Sequence, residues 1–137
     1  MIEALLKGIF DLENATNPFK TAIGGRFYLG EAPQNVVYPY CIYEQISGVP
    51  DRTFTDKYED ILLQFTLVDS SDSIATIADA ETKLYALFDD AALTITGYTS
   101  ITLDRESSVL VKKGQEIDDA ITMWNIIITY KLLAEKN

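Results

Sequence analysis

The chain has 137 residues, of which 47% are hydrophobic and 23% are charged, and its formal net charge is -10. This composition is typical of a globular protein, and the length predicts one domain over residues 1–137. The negative charge argues against a nucleic-acid-binding or membrane-surface protein, because both bind through lysine and arginine. No apolar run approaches the roughly 18 to 20 residues of a membrane span. A single cysteine excludes an internal disulfide bond, and with no recognisable secretion signal we expect synthesis in a reducing cytoplasm.

The N-terminal part of the chain predicts one helix and two extended segments. Apolar residues recur at helical spacing from the start, and this amphipathic helix is expected to end near Glu13. A short extended piece follows at Arg26–Leu29. A strand rich in aromatic and β-branched residues is predicted over Tyr40–Ile46. The polar stretch Ser47–Lys57 then predicts a connection that forms a hairpin arm.

The stretch from Tyr58 to Asp89 carries the clearest pattern in the sequence. Strict alternation of apolar and polar residues predicts a strand with one buried face, formed by Ile61, Leu63, Phe65 and Leu67. The oxygen-rich segment Asp69–Ser73 is then expected to cap a helix start. From Ile74 the apolar period becomes helical, which predicts a helix that packs back onto the preceding strand.

Two more strands are predicted in the last third of the chain. The first runs roughly from Tyr98 to Leu110 and the second over Met123–Leu133, with Lys112 and Lys113 opening a loop between them. The predicted sheet core is Ile61, Leu63, Phe65, Leu67, Ile101, Leu103, Trp124, Ile126 and Ile128. The predicted fold class is α+β, a mostly antiparallel twisted sheet of four to five strands with two main helices packed on one side.

Residues for catalysis are scarce in this sequence. Without histidine, Ser–His–Asp and Cys–His arrangements and the common zinc sites are excluded. Paired carboxylates could hold magnesium or hydrolyse glycosides. The pairs are Asp69 with Asp72, Asp89 with Asp90, Asp118 with Asp119, and Glu59 with Asp60. Caps, helix ends, a strand start and a loop explain them, so we predict no enzyme, no catalytic residue, no metal and no cofactor.

Three short segments, Gly25–Tyr28, Pro33–Gln34 and Pro39–Tyr43, together resemble the opening of a known family. The family is that of the tail completion proteins of long-tailed bacteriophages, also described as tail terminator or tail-to-head joining proteins. The resemblance continues through the central strand and helix and resumes at Leu103–Glu106 and the final strand, so it covers nearly the whole chain. The connection Val111–Ile121 departs from the family, which has a tighter turn there.

The resemblance implies a structural virion protein of a phage or prophage tail or neck, made in the cytoplasm of the bacterial host. It implies a homo-hexameric ring at the head-proximal end of the tail tube, which ends tube polymerisation and joins the head connector or stopper protein. DNA would pass through the ring without specific binding. Whether the isolated chain is a monomer is left open by the resemblance. Alternatives are another neck or adaptor protein, such as a head completion or minor tail protein, and a small acidic ligand-binding or enzymatic α+β domain.

Five residues are candidate interface positions. Arg52 and Phe54 lie on the polar arm, and an aromatic–arginine pair is frequent in interfaces. Lys112 and Lys113 are the only adjacent basic pair in the chain, and they either meet an acidic partner or keep a loop solvated. Ile127 lies between two isoleucines, which predicts apolar residues on both faces of the last strand. Either a neighbouring subunit or an element of the same subunit would cover its second face.

Overall fold

The computed structural model describes residues 1–53, 55–71, 73–113 and 123–137. In these residues a six-stranded sheet carries three helices. The elements in chain order are α1 (Ile2–Asn14), α2 (Pro18–Ile23), β1 (Phe27–Leu29), β2 (Tyr40–Arg52), β3 (Lys57–Ser70), α3 (Ala75–Phe88), β4 (Thr94–Ile95), β5 (Tyr98–Lys113) and β6 (Met123–Lys136).

The sheet order is β1-β2-β3-β6-β5-β4. Only the β1–β2 pair is parallel among the described strands, and the other neighbours are antiparallel. The predicted α+β class with a mostly antiparallel sheet is therefore confirmed. The predicted number of four to five strands is wrong because it leaves out β4, an edge strand of two residues, whereas β1 lies within the extended piece predicted at Arg26–Leu29. Segments this short leave no periodic pattern in a sequence.

The predicted hairpin arm belongs to the main sheet. β2 continues to Arg52, and its ladder with β3 runs from the pair Tyr40–Val68 to the pair Arg52–Lys57. A bulge between Gln45 and Ser47 interrupts the ladder without ending it. Polar residues at an exposed sheet end thus formed strand where the sequence predicted a connection.

Lys112 and Lys113 are also strand residues, and the prediction that they open a loop is wrong. Lys112 pairs with Trp124 and Lys113 pairs with Met123 at the end of the β5–β6 ladder. The long partner strand extends the pairing beyond the apolar pattern that marked β5 in the sequence. Predictions that fall on Phe54, on Asp72, and on residues 114–122 with the pair Asp118–Asp119 lie outside the described residues.

Two bulges in β5 change which of its side chains reach the core. They lie between Ser100 and Thr102 and between Arg105 and Ser107. Each inserts one unpaired residue and so breaks the alternation of faces. Leu103 is buried as predicted, whereas Ile101, at the first bulge, is 46% exposed. The prediction that Ile101 belongs to the core is therefore wrong.

The core lies between the sheet and the three helices. Its centre is an aromatic cluster in which Phe65 of β3 lies 4.6 Å from Phe88 of α3 and 5.6 Å from Tyr130 of β6, measured between ring centroids. Phe27 of β1 stacks on Tyr43 at 4.3 Å. The other predicted residues of β3 and β6 are buried here, Ile61, Leu63, Leu67, Ile126 and Ile128. Trp124 packs against the core and is only half-buried.

Of the segment Asp69–Ser73 that was predicted to cap α3, Ser73 bonds the helix start and Asp69 does not. Asp69 is still paired in β3, opposite Trp124, and is buried, so it makes no cap. The hydroxyl of Ser73 instead accepts a hydrogen bond from the backbone N–H of Ala75 (3.1 Å). Asp69 is too far before the helix to act on it, because the strand runs one residue further to Ser70.

Candidate functional site

The two faces of the sheet have different surroundings. On the helix side, side chains such as Phe65 and Ile128 join the one core cluster that also holds the buried residues of all three helices. The open face consists of the side chains that alternate with these, such as Thr66 and Ile127. No open-face side chain belongs to that core cluster. Within the described residues, the helices therefore pack on one side only.

The strand register places an apolar patch at one end of the open face. Directly opposite residues of antiparallel strands share a face. One row across β5, β6, β3 and β2 is Val109, Ile127, Thr66 and Ile42, and the next is Val111, Asn125, Val68 and Tyr40. We call these two rows the open-face patch. Tyr28 of β1, opposite Ile42, extends it, with its ring 6.2 Å from that of Tyr40.

Beyond the patch the open face becomes polar and then mixed. The next row is Ser107, Thr129, Gln64 and Glu44. The amide of Gln64 donates a hydrogen bond to the carboxylate of Glu44 (3.2 Å). Further along, a concavity of about 360 Å³ is lined by the apolar Val49 and Leu62 as well as by Asp60, Glu106 and Lys131. The open-face patch is therefore the part of this face where apolar side chains dominate two adjacent rows.

Exposure increases across the patch from its centre to its β5 edge. Val68 is 5% exposed and Asn125 is 8% exposed, whereas Val109 is 53% exposed. The side-chain oxygen of Asn125 is buried and has no hydrogen-bond partner among the described residues. Buried polar atoms are rarely left unpaired in folded proteins. Within the described residues, Asn125 therefore places an unsatisfied hydrogen-bond acceptor in the open-face patch.

The five candidate interface residues do not form one site. Ile127 is half-buried in the centre of the open-face patch. Arg52 is exposed at the end of β2. The next residue, Thr53, donates its backbone N–H to the carbonyl of Asp56 (2.9 Å). Phe54 lies outside the described residues, so the predicted arginine–aromatic pair stays a prediction.

The two lysines lie at the other end of the strands. Lys112 is exposed on the helix side of β5, with its ammonium 5.6 Å from the centroid of the Trp124 ring, a distance compatible with a cation–π contact. Lys113 is placed by its backbone pairing with Met123. Arg52 lies at the level of the C-terminal end of β6, whereas Lys112 lies at its N-terminal end. The basic residues therefore mark opposite ends of the sheet.

A polar network at the end of α3 was not predicted. The buried Tyr130 hydroxyl donates to a carboxylate oxygen of Asp89 (2.5 Å), and Arg105 lies 3.4 Å from the other oxygen. The Arg105 guanidinium also stacks 3.6 Å above the ring of Tyr85. Burial, and then the bond to Asp89, raise the pKa of Tyr130. This network ties α3 to β5 and β6.

The cysteine and the acidic side chains could also carry chemistry, and their surroundings within the described residues are as follows. Burial raises the pKa of the Cys41 thiol well above its usual value, so the thiolate that reacts is disfavoured. Within the described residues, no group of three or more Cys, Asp and Glu side chains converges as a metal site. No helix in this part of the chain is long and apolar enough to span a membrane.

The fold is similar to that of a chain in the solved structure described as "Virion of native gene transfer agent (GTA) particle". The TM-score is 0.78, the match covers 93% of this chain and 91% of that chain, and the sequence identity is 12%. At this identity the likeness shows a shared fold. No protein-family model matches the chain, and no curated protein sequence matches it.

Proposed function

We propose that this chain is a structural protein of a phage-like virion, located at the head-proximal end of the tail tube. There it ends tube polymerisation and joins the tail to the head connector. The fold likeness to a chain of a gene transfer agent virion, over nearly all of both chains, carries the proposal. That likeness supports a virion protein, and the position at the end of the tail tube rests on the resemblance of Gly25–Tyr28 and Pro39–Tyr43 to tail completion proteins.

The proposal assigns no catalysis to the chain. The sequence has no histidine, and the one cysteine is buried with a raised thiol pKa. Among the carboxylates considered for catalysis, Asp89 accepts a hydrogen bond from Tyr130. Asp69 is buried at the end of a strand. These surroundings support a protein that acts by binding other proteins through its surface.

The proposed assembly is a homo-hexameric ring with head-to-tail contacts. Such contacts need two different surfaces on each copy. The open-face patch provides an apolar surface that no described helix covers, and the end of the sheet that carries Arg52 provides a polar one. A stable contact of this kind buries roughly 1,000 Å² or more. A smaller contact would form no ring in solution and a ring only on the tube.

The charge of the chain supports a ring that DNA traverses without binding. With a net charge of -10, a lumen lined by acidic side chains repels phosphates and prevents adhesion. We expect Asp and Glu, rather than Arg52 or Lys112, to face the lumen. A lumen lined by the basic residues would contradict this part of the proposal.

The experiment adds the protein to polymerising tail-tube subunits and measures tube lengths and the protein at tube ends. The proposal predicts shorter, more uniform tubes with protein at one end. Ile127→Lys in the patch is expected to lose this effect. Val37→Lys, which also replaces an apolar side chain by lysine but at an exposed loop position, is expected to keep it. Unchanged lengths and bare tube ends with the unaltered protein, at every concentration, would exclude the terminator function.

A second candidate function is that of another neck or adaptor protein, because the fold likeness indicates a virion chain without indicating its place in the particle. Incubating the protein separately with purified tubes and with DNA-filled heads distinguishes them. Binding to tubes supports the terminator, whereas binding to heads alone supports a head completion or adaptor protein.

A further inference from the structure

Among the described residues, the outer edge of β5 is unpaired over much of its length. β4 pairs only with Tyr98 and Thr99, and the backbone N–H of Asp90 donates to the carbonyl of Leu103 (3.2 Å). From Asp104 to Lys113, no described residue forms a ladder with this edge. An exposed strand edge is a template for another strand.

The register shows which backbone groups this edge presents. The Leu103 carbonyl points away from β6, since it accepts from Asp90. The β6 partners of Leu103 and Leu110 are Leu132 and Ile126, an even number of residues apart, so Leu110 has the same orientation. Ser108 and Lys112 follow the same rule through their partners Ile128 and Trp124. These three residues therefore present their N–H and C=O groups outward.

The free edge of β2 on the opposite side of the sheet is interrupted by a bulge and a proline, which the edge of Ser107–Lys113 lacks. At that edge Cys41 donates its N–H to Arg26, away from β3 (2.9 Å). By register Pro50 faces the same way but has no N–H to offer, which is how native edge strands prevent pairing. The segment Ser107–Lys113 contains neither a proline nor a bulge. Its centre exposes Val109 and Leu110, 53% and 50% respectively.

We propose that two copies of this chain pair through the segment Ser107–Lys113 in antiparallel register, with Leu110 opposite Leu110 of the second copy. In this register the outward groups of Ser108 and Lys112 also meet, so every presented N–H and C=O finds a partner. Val109 lies opposite Val111 of the second copy. The lysines lie opposite serines, so no like charges face each other directly, and the apolar residues meet at the centre.

The same pairing joins the open-face patches of the two copies. Val109 and Val111 are the β5 ends of the two rows of the patch, and in the dimer both rows continue into the second copy. A two-fold contact cannot generate a six-membered ring. We therefore assign this contact to the free protein before assembly, and it stands independently of the proposed virion position.

The first test measures the mass of the purified full chain by sedimentation over a range of concentrations. The expected result is a shift from monomer to dimer. Leu110→Lys places two like charges opposite each other and is expected to stay monomeric at every concentration. Val37→Lys, the matched control at an exposed loop position, is expected to dimerise like the unaltered chain. A monomer throughout, or a dimer that Leu110→Lys retains, would overturn the proposal.

The second test reads the register directly. A Val109→Cys chain mixed with a Val111→Cys chain is expected to form a disulfide-linked heterodimer on mild oxidation, because these positions face each other in a closely spaced, non-hydrogen-bonded pair. Each variant alone is expected to cross-link far less, since identical positions are offset. The native Cys41 is buried and gives no background. Equal cross-linking of Val109→Cys with itself would exclude this register.

Discussion

Phe65 and Thr66 are adjacent in β3, yet they face two different environments. Phe65 is fully buried among aromatic rings on the helix side, whereas Thr66 lies half-buried in the open-face patch. The helix side is apolar because its side chains form the hydrophobic core of the single chain. The open face is mainly apolar in the patch and mixed beyond it, although no described helix covers it. The difference separates residues that hold the fold together from residues that another molecule is expected to contact.

The largest expected effect breaks the helix side. Phe65→Ala removes a ring that contacts Phe88, Tyr130 and Phe27 and should lower the free energy of unfolding by about 3 to 5 kcal/mol. Thr66→Ala, one residue away, should change it by less than about 1 kcal/mol. Urea denaturation followed by circular dichroism measures both. Equal losses would mean that the open face is also part of the folding core.

The next largest effect concerns the hydrogen bond between Tyr130 of β6 and Asp89 at the end of α3, on the helix side of the sheet. Tyr130→Phe removes the hydroxyl bound to Asp89 and should cost about 1 to 2 kcal/mol at pH 8. The pKa of Tyr130 is raised in the folded chain, above the ordinary value of about 10. The unfolded chain therefore loses this proton first, and the folded state loses stability as pH rises above about 10.

Comparing the two proteins isolates Tyr130 from the other tyrosines. The stability advantage of the unaltered chain over Tyr130→Phe should shrink between pH 8 and pH 11, as measured by urea midpoints. A gap that stays constant or widens would show that the phenol is not held neutral by burial and by Asp89.

A smaller effect comes from a carboxyl group buried in the last turn of α1. Glu13 is buried with one carboxylate oxygen unpaired among the described residues. Burial raises its pKa, opposed by Lys20. The cost of ionising it appears as pH rises above the unfolded value of about 4.3. Glu13→Gln should therefore stabilise the chain at pH 7 by up to about 1 kcal/mol and have no advantage below about pH 4. Thermal melts at the two pH values check this.

The smallest expected effect sharpens the comparison from the open face. Ile127→Thr keeps the β-branched shape in a half-exposed position, so the free energy of unfolding should fall by only about 0.5 kcal/mol. If the patch is a contact surface, the same change should weaken association far more than folding. Denaturation and sedimentation of the same sample measure the two quantities. A loss of stability as large as that of Phe65→Ala would place Ile127 in the core.

Sequence periodicity predicted the long elements and failed where pairing overrode it. The alternation in β3 and the helical spacing in α3 each extend over several turns or pairs, so the predicted faces of Phe65 and Phe88 are confirmed. The exposed Ile101 and the strand conformation of Lys112 were missed. A bulge decides the first and a long partner strand decides the second, and neither leaves a periodic mark in the chain itself.

By itself, the sequence determined the fold class, the scarcity of catalytic side chains, and the apolar character of the last strand on both faces. These follow from residue type and spacing, which act locally. Only the tertiary structure decided that Ile127 faces a side without a described helix, and that Val109, Ile127 and Ile42 lie in one row across the sheet. The order and register of β2, β3, β6 and β5 bring together residues far apart in the chain, and pairing energies between distant strands set that register.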